Sequence, residues 1–315
     1  MGNAHLTRLL MAGAFMFGLL VSGLVRAEFQ PFIQGEPLDG DIDASAEIAR
    51  DKLAAQGFDL VGDYAPTEGV RVLVVTNDTL LDTAAQSPRG GYGAVLSVAL
   101  EQADAGTLVS YQHPQYVAHG YRLESDNEPV FQSLASALGA TGYFGAEPIS
   151  SANLRTYQYA FGLETFGDPV DLGGFDSFDA ADRQIAARAD DEARGTELVY
   201  RVRIPGRDQV VYGVGMHTDD ANANGAALVE AVDQDAPRGY AFLPHPVLLD
   251  GSDAETLSLR FRMALFYPDL PMMGGDASFF KLRKAPDAIN QLMIDVVDGE
   301  VEQEEESRGS GFGTF

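Results

Sequence analysis

Cysteine is absent from the 315-residue sequence. Disulfide bonds, thiolate metal sites and cysteine nucleophiles are therefore excluded. Several short catalytic motifs are absent as well. There is no Gly-x-Ser-x-Gly nucleophile elbow and no phosphate loop of the Gly-Lys-Ser type, and Gly213 and Gly215 lack the third glycine of a dinucleotide-binding loop. No local motif therefore identifies an enzymatic reaction or a cofactor.

Basic residues are scarce: 21 Lys and Arg stand against 47 Asp and Glu, which gives a net charge of −26. A field of this sign repels phosphate backbones and anionic lipid headgroups. We therefore expect no nucleic-acid partner, and no membrane partner once a leader is removed. The acidic composition is interpreted as a solubility feature, with cation storage as the alternative. A hydrophobic content of 45% is sufficient for a folded core.

The first 27 residues have the three parts of a secretory signal peptide. Arg8 precedes an apolar run at residues 9–21, and Val25-Arg26-Ala27 has the form of a cleavage site. Cleavage after Ala27 predicts a periplasmic or secreted chain that begins at Glu28. The alternative is an uncleaved transmembrane anchor, for which the apolar run is slightly short.

Hydrophobic periodicity and turn residues predict an α+β fold with two subdomains, each a mainly antiparallel sheet backed by helices. Predicted helices cover residues 45–56, 78–86, 128–138, 180–193, 223–232 and 284–293, and predicted strands cover residues 58–64, 70–76, 93–101, 107–112, 197–204, 209–216, 240–249 and 256–266. The predicted domains are residues 28–140 and 179–298. An aromatic, glycine-rich segment (residues 141–178) connects them, and an acidic, glycine-rich tail (residues 299–315) follows.

Short sequence similarities suggest that the second subdomain is a repeat of the first. The sequence Pro-Arg-Gly-Gly-Tyr at residues 88–92 returns as Pro-Arg-Gly-Tyr at residues 237–240, and Thr-Leu opens the fourth strand of each half. Any two runs with the same element order would share some of these features. Internal duplication and chance similarity both remain open.

Residues 45–123 resemble the domain-of-unknown-function 302 family. The resemblance rests on the helix that ends at residues 54–58, on the strand and helix at residues 72–81, and on residues 109–123. In the last of these the matching positions are Pro114, Tyr116, Ala118, Tyr121 and Leu123. His113 stands where the family usually has Asp. The resemblance implies a compact α+β fold of a sheet covered by helices, and it implies no activity. The second half resembles no family that we recognise.

Histidines, tyrosines and methionines are the candidate ligand-binding groups. The candidates are His113, Tyr116, His119, Tyr121, His217 and His245. Met216 and His217 are the candidate metal ligands, for copper or zinc, and Met272-Met273 adds two thioethers in a loop. Residues 39–43 resemble the start of a calcium loop, but Ala44 and Arg50 replace its glycine and its bidentate Glu. An acidic cap on the following helix explains these carboxylates better.

Three classes of function remain. The preferred prediction is a non-catalytic periplasmic binding or accessory protein for a small molecule, a metal or a protein partner, with a cleft between the subdomains as the ligand site. An enzyme would instead place a histidine within hydrogen-bond distance of a carboxylate in a pocket. A structural subunit would expose an apolar patch on residues 143–178.

Overall fold

The computed structural model describes residues 27–275 and 277–298. The body of the predicted signal peptide, residues 1–26, and the predicted tail, residues 299–315, lie outside the described residues. Within them, helices combine with antiparallel sheets in two clusters. The predicted α+β class is therefore confirmed.

The strands are β1 (Glu28–Phe29), β2 (Phe32–Gln34), β3 (Asp59–Thr67), β4 (Val70–Thr76), β5 (Leu96–Ala103), β6 (Gly106–Gln112), β7 (Gly142–Phe144), β8 (Ile149–Ser150), β9 (Val170–Gly174), β10 (Thr196–Arg203), β11 (Gln209–Met216), β12 (His245–Asp250) and β13 (Asp253–Thr256). The α-helices are α1 (Ile42–Ala55), α2 (Asp78–Gln86), α3 (Pro114–Gly120), α4 (Glu128–Leu138), α5 (Ser151–Arg155), α6 (Phe178–Ala189), α7 (Gly225–Val232), α8 (Leu259–Phe266) and α9 (Ala285–Val297). Short 3-10 turns lie at Gly90–Gly93, Glu192–Arg194 and Tyr240–Phe242.

Helix α1 shows how the local sequence starts an element. Asp41 is its N-cap, and its carboxylate accepts a hydrogen bond of 2.9 Å from the backbone N–H of Ala44. This satisfies one of the free donors of the first turn. Ala46, Ala49 and Leu53 are buried on one face. The predicted acidic cap and the predicted apolar face are both confirmed.

The two halves share one order of five strands, to which the first sheet adds β7 as a sixth. The first sheet has the strand order β3-β4-β5-β6-β2-β7, the second has the order β10-β11-β12-β13-β9, and all neighbouring strands are antiparallel. In each half, a strand and a helix precede a hairpin, a helix, a 3-10 turn, a second hairpin and a further helix. Duplication of one unit would produce this correspondence. It stays a prediction, because shared topology alone does not establish common descent.

The halves meet through the sheet faces that their own helices leave free. Tyr212 of β11 donates a hydrogen bond to Asp182 of α6, whereas Gln209, three residues earlier on the strand, accepts one from the backbone of Gly91 in the first half. Residues an odd number apart on a strand point to opposite faces. The second sheet therefore carries α6 on one face and the first half on the other.

Two ion pairs cross this interface reciprocally. Arg89, next to the first-half 3-10 turn Gly90–Gly93, pairs with Glu255 at 2.9 Å. Arg238, next to the second-half turn Tyr240–Phe242, pairs with Glu101. Each half thus contributes one arginine to a carboxylate of the other, and this exchange fixes the two sheets relative to each other.

The predicted strand at residues 256–266 is wrong. The strand ends at Thr256, and Leu259–Phe266 forms helix α8. All residues of α8 except Arg260 are buried, so the helix has no polar stripe and its sequence lacks a helical period. The predicted strand at residues 240–249 is wrong in its first part, where Tyr240–Phe242 is a 3-10 turn.

The connecting segment, residues 141–178, contributes β7 to the first sheet and β9 to the second. The ring of Phe166 stacks on Tyr121 of the first half at 5.7 Å and lies 6.2 Å from Phe261 of the second half. Tyr143 and Phe161 are exposed. Among the described residues, no helix combines the length and the apolar character that a membrane crossing requires.

Candidate functional site

Helix α8 connects the two most unusual environments in the molecule. On one side, Leu259, Met263 and Ala264 line a cavity of about 300 Å³. On another side, Arg262 enters the interface between the halves, where it is 3% exposed.

The cavity is lined mainly by carbon atoms. Its lining residues are Tyr159, Leu163, Leu228, Leu259, Arg260, Met263, Ala264, Met272, Met273, Phe279, Phe280, Leu282, Arg283, Ala285 and Pro286. Three of them are unusually exposed for apolar side chains, namely Met272 (44%), Met273 (71%) and Phe280 (55%). Exposed apolar groups gathered at the mouth of a cavity are typical of a ligand-binding site.

The residues that line the cavity include two arginines, Arg260 and Arg283. The whole chain has lysine only at positions 52, 281 and 284, and Arg283 lies between the last two. Arg260 is neutralised, because it pairs with Glu164 at 3.0 Å and with Asp287 at 3.2 Å. Arg283 stacks over the ring of Phe280 at 4.6 Å, and no carboxylate of the described residues forms an ion pair with it. The mouth therefore offers a cationic group beside an apolar interior.

Arg262 is a buried cation held by neutral groups. Its guanidinium donates hydrogen bonds to the carbonyl of Phe242 at 2.7 Å and of Pro244 at 3.5 Å. It also lies 2.9 Å from His245 Nδ1 and stacks over the Phe242 ring at 4.3 Å. No carboxylate within the described chain forms an ion pair with Arg262, whose Nε has no hydrogen-bond partner.

Arg262 also forms a side-chain hydrogen bond with Tyr121. Burial raises the pKa of Tyr64, Tyr121 and Tyr200, and the charge of Arg262 acts in the opposite direction on all three. Tyr64 and Tyr121 belong to the first half, whereas Tyr200, Arg262 and His245 belong to the second. The cluster therefore lies in the interface where the sequence predicts a cleft.

Glycines of β11 make room for two of these rings. A Cβ atom on Gly213 would lie 2.1 Å from the ring of Tyr200, and one on Gly215 would lie 3.2 Å from the ring of Tyr64. The first distance is shorter than any normal carbon contact. The two glycines thus allow the tyrosine rings to lie directly on the strand.

Four predicted site residues lie in or beside helix α3. His113 is the N-cap of α3, with Nδ1 accepting the backbone N–H of Gln115 at 3.2 Å. Its ring stacks on Phe131 and Tyr143. His119 lies 5.5 Å from the ring of Phe29. Tyr116 donates to the backbone carbonyl of Leu265 in α8, and Tyr121 joins the Arg262 cluster.

The other predicted residues lie in the second half. His245 is buried beside Arg262, and its Nε2 has no hydrogen-bond partner among the residues that the structure describes. Met216 is buried in the core, whereas the neighbouring His217 is partly exposed and lies 3.0 Å from Glu197. Adjacent strand residues point to opposite faces, so this geometry does not bring the Met216 thioether and the His217 imidazole together. No group of three or more His, Asp or Glu side chains suited to a metal occurs in the described residues.

Sequence reasoning missed the residues around α8. The cavity is formed by helices and loops from residues 159 to 286, which are not neighbours in sequence. Met272-Met273 was the one local signal, since two thioethers in a glycine-flanked loop are unusual, and the sequence argument assigned them to metal binding. Arg262 gave no signal, because an arginine is normally at the surface.

No protein-family model, no curated protein and no solved structure matches the chain. The resemblance of residues 45–123 to the domain-of-unknown-function 302 family therefore stays a prediction. The same holds for the function, the export and the predicted site residues.

Proposed function

We propose that this protein is an exported, non-catalytic binding protein that holds a small amphipathic molecule with an acidic headgroup in the cavity beside α8. The observation that supports this most directly is the apolar cavity of about 300 Å³ with Arg283 at its mouth. A cavity of this volume is within the range of small-molecule pockets. The predicted signal peptide is the basis for the exported location.

The interior selects for hydrocarbon. A cavity of this volume suits a short alkyl chain, and burial of about eight methylenes contributes about 6 kcal/mol at about 0.8 kcal/mol each. That free energy corresponds to a dissociation constant in the range of tens of micromolar. Met263, Met272 and Met273 are flexible and polarizable, so they can adapt to chains of different shape.

The mouth selects for negative charge. Arg283 is exposed, and its guanidinium faces Phe280, so a carboxylate bound there remains partly hydrated. Ion pairs in such settings contribute up to about 1 kcal/mol. We therefore expect the charge to set the preference among ligands and the apolar burial to supply most of the affinity.

Calorimetric titration with decanoate tests the proposal. Wild-type protein is expected to bind one decanoate with a dissociation constant of about 10–100 µM, given the burial energy above. Leu282→Trp, which fills the cavity, is expected to abolish binding. The matched control is Leu60→Trp, at an exposed leucine of β3 that does not line the cavity.

The headgroup contribution is measured with a second pair of variants. Arg283→Gln is expected to weaken decanoate binding about threefold, as for a partly exposed ion pair, and to leave 1-decanol binding unchanged. Arg183→Gln changes an exposed arginine of α6 and is expected to leave both ligands unaffected. Absence of binding to both ligands, or full binding by Leu282→Trp, would contradict the proposal.

The enzymatic alternative has one supporting observation. His217 Nε2 and a carboxylate oxygen of Glu197 lie 3.0 Å apart, which is the geometry of a histidine positioned by an acid. Both side chains are partly exposed, and neither lines the cavity. The pair therefore favours a catalytic function less strongly than the cavity favours binding.

A further inference from the structure

We propose that Phe312 and Phe315 of the tail (residues 299–315) bind in the cavity beside α8 and compete there with the ligand. The tail lies outside the described residues. Three observations support its assignment to the cavity: the apolar surface exposed there, the length of chain that follows α9, and the charges of the two segments. The competition concerns the same cavity and rests on the proposed function, whereas the docking of the tail does not require a ligand.

Part of the cavity lining faces solvent. Met272, Met273 and Phe280 line the cavity and are exposed. Apolar side chains gathered in this way indicate a surface that another apolar group covers. The tail has two aromatic residues, Phe312 and Phe315, three positions apart. Methionine sulfur makes favourable contacts with aromatic rings, so these two rings suit a lining rich in methionine.

The length of chain after α9 matches a return to the cavity. Helix α9 has 13 residues and is therefore about 20 Å long. Its first two residues, Ala285 and Pro286, line the cavity, so the chain that leaves at Val297 starts one helix length away from it. An extended return along the helix takes about six residues at about 3.3 Å each. Residues 304–306 follow Val297 by more than this, so they can lie beside the start of α9.

Opposite charges face each other at that position. Residues 304–306 are three consecutive glutamates. Residues 281–284, which lead into α9, read Lys-Leu-Arg-Lys, and no other four consecutive residues of the chain include three basic ones. The three basic side chains are exposed. Exposed ion pairs are individually weak, so we expect the charges to orient the tail and the burial of its aromatic rings to hold it.

A docked tail lowers the apparent affinity of the cavity for its ligand. A segment tethered to its own site acts at an effective concentration in the millimolar range. Burial of two phenylalanine rings is then expected to favour the bound tail over the free tail about fivefold. A ligand has to displace the tail, so its apparent dissociation constant rises by about the same factor.

Disulfide trapping locates the tail without any ligand, because the chain has no cysteine of its own. Gly313→Cys, between the two phenylalanines, is combined with Met273→Cys at the cavity. The matched control combines Gly313→Cys with Leu60→Cys, at an exposed leucine that does not line the cavity. In oxidised glutathione and at low protein concentration, the first pair is expected to close into a disulfide-bonded monomer about tenfold faster than the control. Mass spectrometry of quenched samples measures both rates.

Neutral tails test the charges in the same assay. Glu304→Gln, Glu305→Gln and Glu306→Gln together are expected to slow closure of the Met273→Cys pair about threefold, as for exposed ion pairs. Glu300→Gln with Glu302→Gln is the control, because these residues follow the end of α9 too closely to reach its start. It is expected to leave the rate unchanged.

Calorimetric titration with decanoate measures the competition. Phe312→Ser with Phe315→Ser is expected to bind decanoate about fivefold more tightly than wild type. The control, Ser307→Ala with Ser310→Ala, is expected to bind it as wild type does.

The two assays separate this inference from the proposed function. Equal closure rates in the two cysteine pairs, disulfide-linked dimers in place of closed monomers, or unchanged decanoate affinity in the double phenylalanine variant would overturn the assignment of the tail. Fast closure at the cavity without decanoate binding by any variant would support the docked tail and contradict the proposed function instead.

Discussion

Replacement of Arg238 by methionine is expected to destabilise the protein by about 3 kcal/mol, because it leaves a buried carboxylate without its cation. Glu101 is 8% exposed and accepts hydrogen bonds from the Arg238 side chain and from the Arg238 backbone N–H at 2.9 Å. Methionine retains most of the apolar stem of the arginine. The expected loss therefore reports mainly on the unpaired charge.

The reciprocal ion pair provides a matched control. Arg89→Met breaks the corresponding contact to Glu255, whose side chain is 20% exposed and therefore better hydrated. A smaller loss is expected there. In addition, Glu101→Gln in the Arg238→Met background is expected to recover most of the stability, since the buried group is then neutral. Urea unfolding followed by circular dichroism measures all four proteins; equal losses in both single arginine variants would contradict the burial argument.

For helices and strands with a strong local sequence pattern, the first and last residues could be predicted correctly. Strand β4 is a β-branched run closed by a turn, and helix α4 begins after Asn127 and ends at Gly139. In each case the residues that start and stop the element are neighbours of the residues that fill it. The predicted bounds of β4, α2, α4 and β11 agree with the structure.

Elements defined by their surroundings could not be predicted in this way. Helix α8 was expected to be a strand because its burial on nearly every side removes the polar positions that reveal a helical period. The strand order of the second sheet depends on β9, which precedes its partner β13 by about 80 residues. Pairing between strands so far apart in sequence produces no hydrophobic periodicity from which it could be predicted.

The candidate sites illustrate the same limit. The residues predicted from the sequence share a chemical type, and they include His245 and Tyr121. The structure brings both into the Arg262 cluster. Arg262 itself, the charge around which they gather, had no distinguishing neighbour in the sequence. The cavity likewise depends on which apolar side chains face a common space, and only the packing of helices and loops between residues 159 and 286 determines this.

His113 shows how a residue chosen for possible ligand binding can have a structural role with a measurable consequence. Aspartate is among the best N-cap residues, and the imidazole of His113 performs the same task for α3 by accepting the N–H of Gln115. The cap requires the unprotonated Nδ1. The side chain is 4% exposed, so protonation would both break the cap and bury a charge.

We therefore expect His113 to make the protein sensitive to acid. Burial, and secondarily the charge of His119, lowers the pKa of His113 to about 4, whereas an unfolded histidine titrates near 6.5. Between these values the unfolded chain binds a proton that the folded protein does not. Stability is therefore lost as the pH falls from 6.5 to 4, by about 3 kcal/mol in total.

Comparison with His113→Asn isolates this effect, because asparagine caps a helix equally well and does not titrate. The difference in unfolding free energy between wild type and variant is expected to shift by about 3 kcal/mol against the wild type between pH 7 and pH 4.

Asp233→Asn should show the opposite trend, since burial raises the pKa of Asp233 to about 6 and its folded form holds a proton that the unfolded chain loses. Its removal therefore relieves a loss of stability that grows as the pH rises from 4 to 6. Urea unfolding at half-unit pH intervals measures both trends; curves for wild type and His113→Asn that stay parallel would show that the imidazole does not govern the acid response.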